Sequence, residues 1–96
     1  MRPMQSTTDT LAVRRKRLMF RSWHRGMKEV DLILGRFAER YLASFDASQL
    51  DRYEALLEAR DGDLYAWYAG TGEPPEELRT DIWQLLKAFR VHEAQA

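Results

Sequence analysis

The chain contains no cysteine. That removes disulfides, thiolate nucleophiles and sulfur-ligated zinc, so the fold must stand on packing alone. Histidine is almost as scarce, with only His24 and His92. Neither sits in a metal-ligand spacing or beside a partnered carboxylate and nucleophile, so no catalytic set is legible. The few glycines form no phosphate-cradling loop. No apolar run approaches the roughly 20 residues that a membrane helix needs. The opening "MRPMQSTTDTLAV" lacks the apolar centre of a secretory signal, which gives the expectation of a soluble, unexported chain without membrane insertion. Arg2 and the nearby Ser and Thr residues carry a trace of a mitochondrial presequence, against which Asp9 and the early start of the fold pattern both argue. Strand-like alternation, internal repeats and low-complexity tracts are also missing.

What remains is 96 residues in which apolar positions recur at three and four, the helical period. A chain of this length makes one domain with a small core, so any further task falls to its surface. The expected architecture is all-α, a compact five-helix, bundle-like domain over residues 10–90, with flexible ends at 1–9 and 91–96.

Five segments carry the pattern. The first helix spans about Thr10 to His24, with Leu11, Leu18, Met19 and Trp23 on its apolar side. Gly26 follows where a left-handed residue commonly closes a helix. The second and clearest stripe is Val30, Ile33, Leu34, Phe37, Tyr41, Leu42 and Phe45, which predicts the central core helix. Asp46 or Ser48 can cap a third helix, with Gln49 or Asp51 three residues on completing a capping-box pattern, and Leu50, Tyr53, Leu56 and Leu57 then face inward. In "ARDGDLYAWYAG" Asp61 is the expected cap of a fourth helix that ends at Gly70 and Gly72. The fifth is predicted to begin in "TGEPPEELRTDIWQLLKAF" with Pro75 in its first turn, and to face inward through Leu78, Ile82, Leu85 and Phe89.

The zero net charge conceals a polarity. Up to Lys28, eight basic residues oppose Asp9 alone (8 − 1 = +7); from Glu29 onward seven basic residues oppose fourteen acidic ones (7 − 14 = −7). Either a basic face meets an acidic partner, or the two parts complement each other within the monomer. Arg14, Arg17, Arg21 and Arg25 recur at three, four and four and share a helix face, a row that could meet phosphates, acidic side chains or solvent. A nucleic-acid-binding module is therefore the alternative function class. Trp67, Trp83, Tyr65 and Tyr68 pose the question of a ring-stacking pocket, but their helical spacing reads first as core.

The stretch "RGMKEVD", residues 25–31, concentrates the remaining interest. Gly26 can close one helix while Glu29 and Asp31 occupy the first turn of the next and favour its positive end. The same corner places a cation, bare backbone and carboxylates at an exposed point that suits docking.

"RKRLMFRSWHRGMKEVD" closely resembles the signature of the succinate dehydrogenase assembly factor family, the flavinylation factors of SdhE type, whose mark is RGxxE. Here that mark is Arg25, Gly26 and Glu29, followed by Asp31. The likeness continues through Asp63, Leu64, Tyr65 and Trp67 of "DGDLYAWYAG" and through the helix after "EPP", covering about residues 14 to 90.

The resemblance implies a non-enzymatic assembly factor that promotes covalent attachment of FAD to a histidine of the succinate dehydrogenase flavoprotein subunit. The related fumarate reductase flavoprotein is a further candidate client. Arg17, Arg21, Arg25, Gly26, Glu29 and Asp31 are then the expected partner-binding residues, with no catalytic residue, no metal and no stably bound cofactor. A monomer in the bacterial cytoplasm is expected, with the mitochondrial matrix as the alternative.

Overall fold

A computed structural model describes residues 10–90 of the chain. The expected end segments, 1–9 and 91–96, and with them His92, lie outside the described residues. Among these residues five α-helices follow one another: α1 (Leu11–Trp23), α2 (Lys28–Tyr41), α3 (Ala47–Leu57), α4 (Asp61–Ala69) and α5 (Asp81–Ala88). Short 3₁₀ turns occupy Leu42–Ser44 and Glu76–Leu78, and no strand occurs among the described residues. The all-α, five-helix expectation holds.

Local chemistry sets most of the boundaries. Thr10 caps α1, its hydroxyl accepting from the Val13 N–H at 3.2 Å. Asp46 and Gln49 make a reciprocal capping box on α3, with bonds of 2.8 and 2.9 Å. Gly70 closes α4 at φ 90°, in the left-handed region.

Two expectations need correcting. Arg60, not Asp61, is the N-cap of α4, and no side chain caps that end. Asp61 is the first helical residue, its carboxylate turned to Arg25. The fifth helix does not begin in the "EPP" segment. After Pro75 the backbone makes one 3₁₀ turn, and α5 starts at Asp81 behind Thr80, whose hydroxyl accepts from the Ile82 and Trp83 N–H groups. A capping threonine there satisfies donors that the proline segment cannot. The inward side of α5 is Ile82, Trp83 and Leu86, with Leu78 and Leu85 only half-buried, because α5 packs against both α3 and α4.

Phe37 of α2 sits at the centre of the core and is fully buried. Its ring lies 5.5 Å from that of Tyr53 and 5.6 Å, edge-on, from that of Phe89. Truncating such a ring to alanine typically costs about 3 to 5 kcal/mol. Among the described residues Ser22 is the one buried polar side chain outside the apolar set. Its hydroxyl donates to the Leu18 carbonyl at 2.8 Å and meets the Tyr53 hydroxyl at 2.6 Å. Since Ser22 has spent its proton on Leu18, Tyr53 donates to it, and a relay fixes α3 against α1.

The α1–α2 crossing depends on Gly35. A Cβ there would fall inside the Trp23 indole, so the missing side chain is what lets Trp23 lie on α2. Arg36 stands over the same indole at 5.9 Å.

Candidate functional site

The corner between α1 and α2 is built from Arg25 outward. Gly26 has φ 109°, a conformation that L side chains rarely adopt. That turn sends the backbone back so that the Arg25 N–H donates to Asp31 Oδ1 at 2.6 Å. Asp31 thus bridges the end of α1 to the first turn of α2 as well as suiting the positive helix end.

The Arg25 guanidinium points inward. Its Nε donates to Asp61 Oδ1 at 2.8 Å, Nη1 to the Leu57 carbonyl and Nη2 to the Ala59 carbonyl, both at 2.6 Å. Only 11% of the side chain is exposed. One planar fork therefore satisfies carbonyls at the end of α3 and neutralises a carboxylate at the start of α4. Placed after α1, Arg25 serves the negative end of α3, a helix distant in sequence.

The outer edge of the corner differs. Lys28 and Glu29 are exposed, and the Glu29 carboxylate makes no hydrogen bond or ion pair among the described residues. Gly26 is exposed too, and the nearest atom to a Cβ placed on it is Asp61 Oδ2 at 3.8 Å. The corner is open in front and braced behind.

The basic row of α1 is largely consumed within the molecule. Arg14 pairs with Asp51 and Glu54 of α3, and Arg21 with Glu54 at 3.3 Å and Glu58 at 2.9 Å. The Arg14 guanidinium is held above its ordinary pKa, chiefly by hydrogen bonds to Asp51 and Glu54. Much of the charge polarity in the sequence is a contact between α1 and α3. Arg17 is exposed on α1. The six candidate residues fall into two groups: Arg25, Gly26, Glu29 and Asp31 form one corner, whereas Arg21 faces α3 and Arg17 lies further along α1.

Sequence reasoning missed Asp61 as the partner of Arg25, since a pair 36 residues apart leaves no periodic trace. It also missed Gly35, although an isolated glycine inside a helical stripe is itself a signal of close approach. Phe20 went unremarked and is 63% exposed.

The His24 Nδ1 bonds the Phe20 carbonyl at 2.7 Å, and its ring stacks on Phe20 with 3.9 Å between centroids. No group of three or more His, Cys, Asp or Glu among the described residues could hold a metal ion. Trp83, largely buried, and Trp67, half-buried, both line an open cleft of about 400 Å³ with Gly72 and Pro74. No described helix is long and apolar enough to cross a membrane.

Comparison with known proteins gives a consistent result. Residues 16–90 match the family model described as flavinator of succinate dehydrogenase. The mitochondrial succinate dehydrogenase assembly factor 2 of Debaryomyces hansenii is 40% identical over 89 residues, covering 88% of this chain and 63% of that protein. Factor 2-B of Drosophila mojavensis is 42% identical over 81 residues, covering 82% and 52%. The corresponding factor of Lodderomyces elongisporus is 43% identical over 89 residues, covering 88% and 54%. The chain thus spans between about half and two thirds of the length of these relatives, all of which are named as assembly factors. With the family model covering both the corner and the core that braces it, the chain belongs to the flavinator of succinate dehydrogenase family.

Proposed function

We propose that this chain binds the flavoprotein subunit of succinate dehydrogenase and promotes covalent attachment of FAD to one of its histidines, without performing the bond formation itself. The observation that carries the reading is the exposed, unpaired Glu29 carboxylate beside Gly26, on a corner braced from behind by Arg25 and Asp31. An acidic group held at a bare turn offers a partner one charge and a close backbone approach, with little ordering left to complete on binding. Membership of a family described as flavinator of succinate dehydrogenase supports a succinate dehydrogenase subunit as the partner.

The factor acts by orientation. Docked beside the FAD domain, it favours the conformation in which the flavoprotein's own groups form the flavin-to-histidine bond. On this reading the factor acts on FAD attachment to its client and does not itself hold the cofactor stably. Gly26, Glu29 and Lys28 meet the client, Arg25 and Asp31 hold them in place, and Arg17 and Arg21 flank the contact. The fumarate reductase flavoprotein is a second client. The factor works as a monomer where the flavoprotein matures, in the bacterial cytoplasm or in the mitochondrial matrix; the relatives' names carry the mitochondrion.

Nucleic acid is not favoured as the partner, because Arg14, Arg21 and Arg25 are engaged by carboxylates of α3 and α4. The reading is tested by mixing the purified chain with flavoprotein subunit that lacks covalent FAD. A one-to-one complex on size exclusion is expected; separate elution at micromolar concentrations overturns it.

A further inference from the structure

Val13, Lys16 and Phe20 of α1, with His24 just past its end, recur at three, four and four on the side opposite the buried Leu18 and Ser22. This face does not look like an ordinary solvated one. Phe20 is 63% exposed and Val13 40%. The Phe20 ring is nevertheless held, stacked on His24 at 18° between planes. His24 is pinned in turn through Nδ1; the Phe20 carbonyl can only accept, so that nitrogen carries the proton. An exposed aromatic fixed in one place loses little entropy when it is covered.

The charge around it is distinctive. The arginines on the flank toward α3 are paired with carboxylates, whereas Lys16 and, at the start of α2, Lys28 are exposed without an ion pair among the described residues. An apolar centre with an unmatched cation on the same face is the anatomy of a protein contact, where aromatics anchor and charges set approach and register. Two unmatched lysines are few for phosphate tracking or for an anionic lipid surface, both of which draw on larger basic clusters.

We propose that the outward face of α1 centred on Phe20, with Lys16 on the same face, is a second contact surface, and that it seats an acidic protein patch with an apolar centre. The inference rests on the function proposed above and adds a surface to it: the corner presents an acid, and this face presents an aromatic and a cation. Recognition by both gives the docked factor a defined orientation as well as affinity.

The test is calorimetric titration of flavoprotein subunit lacking covalent FAD with wild type, Phe20→Ala, Phe20→Tyr, Lys16→Glu and Glu29→Ala, with the melting temperature of each. Phe20→Ala is expected to weaken binding about tenfold or more, with an unchanged melting temperature, and Phe20→Tyr to bind like wild type. Lys16→Glu should weaken binding at low ionic strength, and added salt should erase the difference. Affinity of Phe20→Ala within twofold of wild type overturns the proposal. If that result accompanies lost binding by Glu29→Ala, the corner reading survives alone. Absence of binding by wild type removes both. Binding to phosphatidylglycerol vesicles or duplex DNA that Phe20→Ala abolishes, with the flavoprotein unaffected, also overturns it.

Discussion

Arg25 and Asp61, 36 residues apart in sequence, join at 2.8 Å between Nε and Oδ1 and thereby tie the turn after α1 to the first residue of α4. The pair is a brace, and the exposed edge of the same corner is the surface it supports. On the proposed reading, stability and function separate along Arg25, Gly26 and Glu29.

Replacement of Arg25 should be felt first as lost stability. Alanine leaves the Leu57 and Ala59 carbonyls and the Asp61 carboxylate without their donor, at a cost of about 2 kcal/mol or more. For a domain of this size that lowers the melting temperature by about 10 °C. Lysine should recover only part of it, because one ammonium cannot reproduce a three-way planar fork. Thermal denaturation followed by circular dichroism checks this, and an unchanged melting temperature for Arg25→Ala would show that the brace carries no weight.

Gly26 differs from Arg25, because its constraint is conformational and not one of packing. Gly26→Ala should cost about 1 to 2 kcal/mol for an L residue at positive φ. Gly26→Arg should be little worse in stability, since no atom crowds the position. In flavin attachment, however, arginine should be much the more damaging, its bulk standing where the client approaches. Equal attachment rates for the two variants, measured as covalent flavin fluorescence, would remove the close-approach argument.

Gly35 and Trp23 predict a reversal of sign. With Trp23 present, Gly35→Ala drives a methyl into the indole and should destabilise by about 1 to 3 kcal/mol. In a Trp23→Ala background the same change should be neutral or stabilising by up to about 1 kcal/mol, as alanine is the better helix former. A double-mutant cycle by urea denaturation reads the coupling directly. Additive costs would mean that the two residues do not touch as described.

Tyr53 should respond to alkali. Burial raises its phenol above the ordinary value of 10.0, with the Ser22 bond and two arginines opposing only in part. A pKa raised in the folded state contributes stability that is fully present below the unfolded value and is lost as pH rises above it. Near neutral pH, Tyr53→Phe should cost about 1 kcal/mol for the lost bond to Ser22. That deficit should shrink as pH climbs past about 10. Parallel wild-type and variant stability curves from pH 8 to 11.5 would contradict it.

Asp81 marks where the sequence could and could not be read. Residues acting within one turn were legible: the Asp46 and Gln49 box, the left-handed Gly26 and Gly70, and the α2 stripe all follow from local rules. The start of α5 was not, because Pro75 with two following glutamates is a credible first turn, and only the structure shows Thr80 taking the donors instead. Asp81, first residue of that helix, is bound by Arg52 of α3 at 2.7 Å, which holds its carboxyl below the usual range. At the corner the residue types were legible but their direction was not. An arginine beside an exposed turn reads as a docking cation, and its inward path follows from where α3 ends, which no local pattern encodes.

The most direct test of the account follows covalent FAD by intact-mass spectrometry in a reconstituted mixture of flavoprotein subunit, FAD and this chain, comparing wild type with Glu29→Ala. An exposed first-turn carboxylate adds only about 0.3 to 1 kcal/mol to a helix, so Glu29→Ala should remain folded by circular dichroism. With wild type the flavoprotein should gain the flavin mass while the chain itself keeps its own, and with Glu29→Ala that gain should slow severalfold. A flavin adduct on this chain, or equal rates with folded Glu29→Ala, would contradict the account.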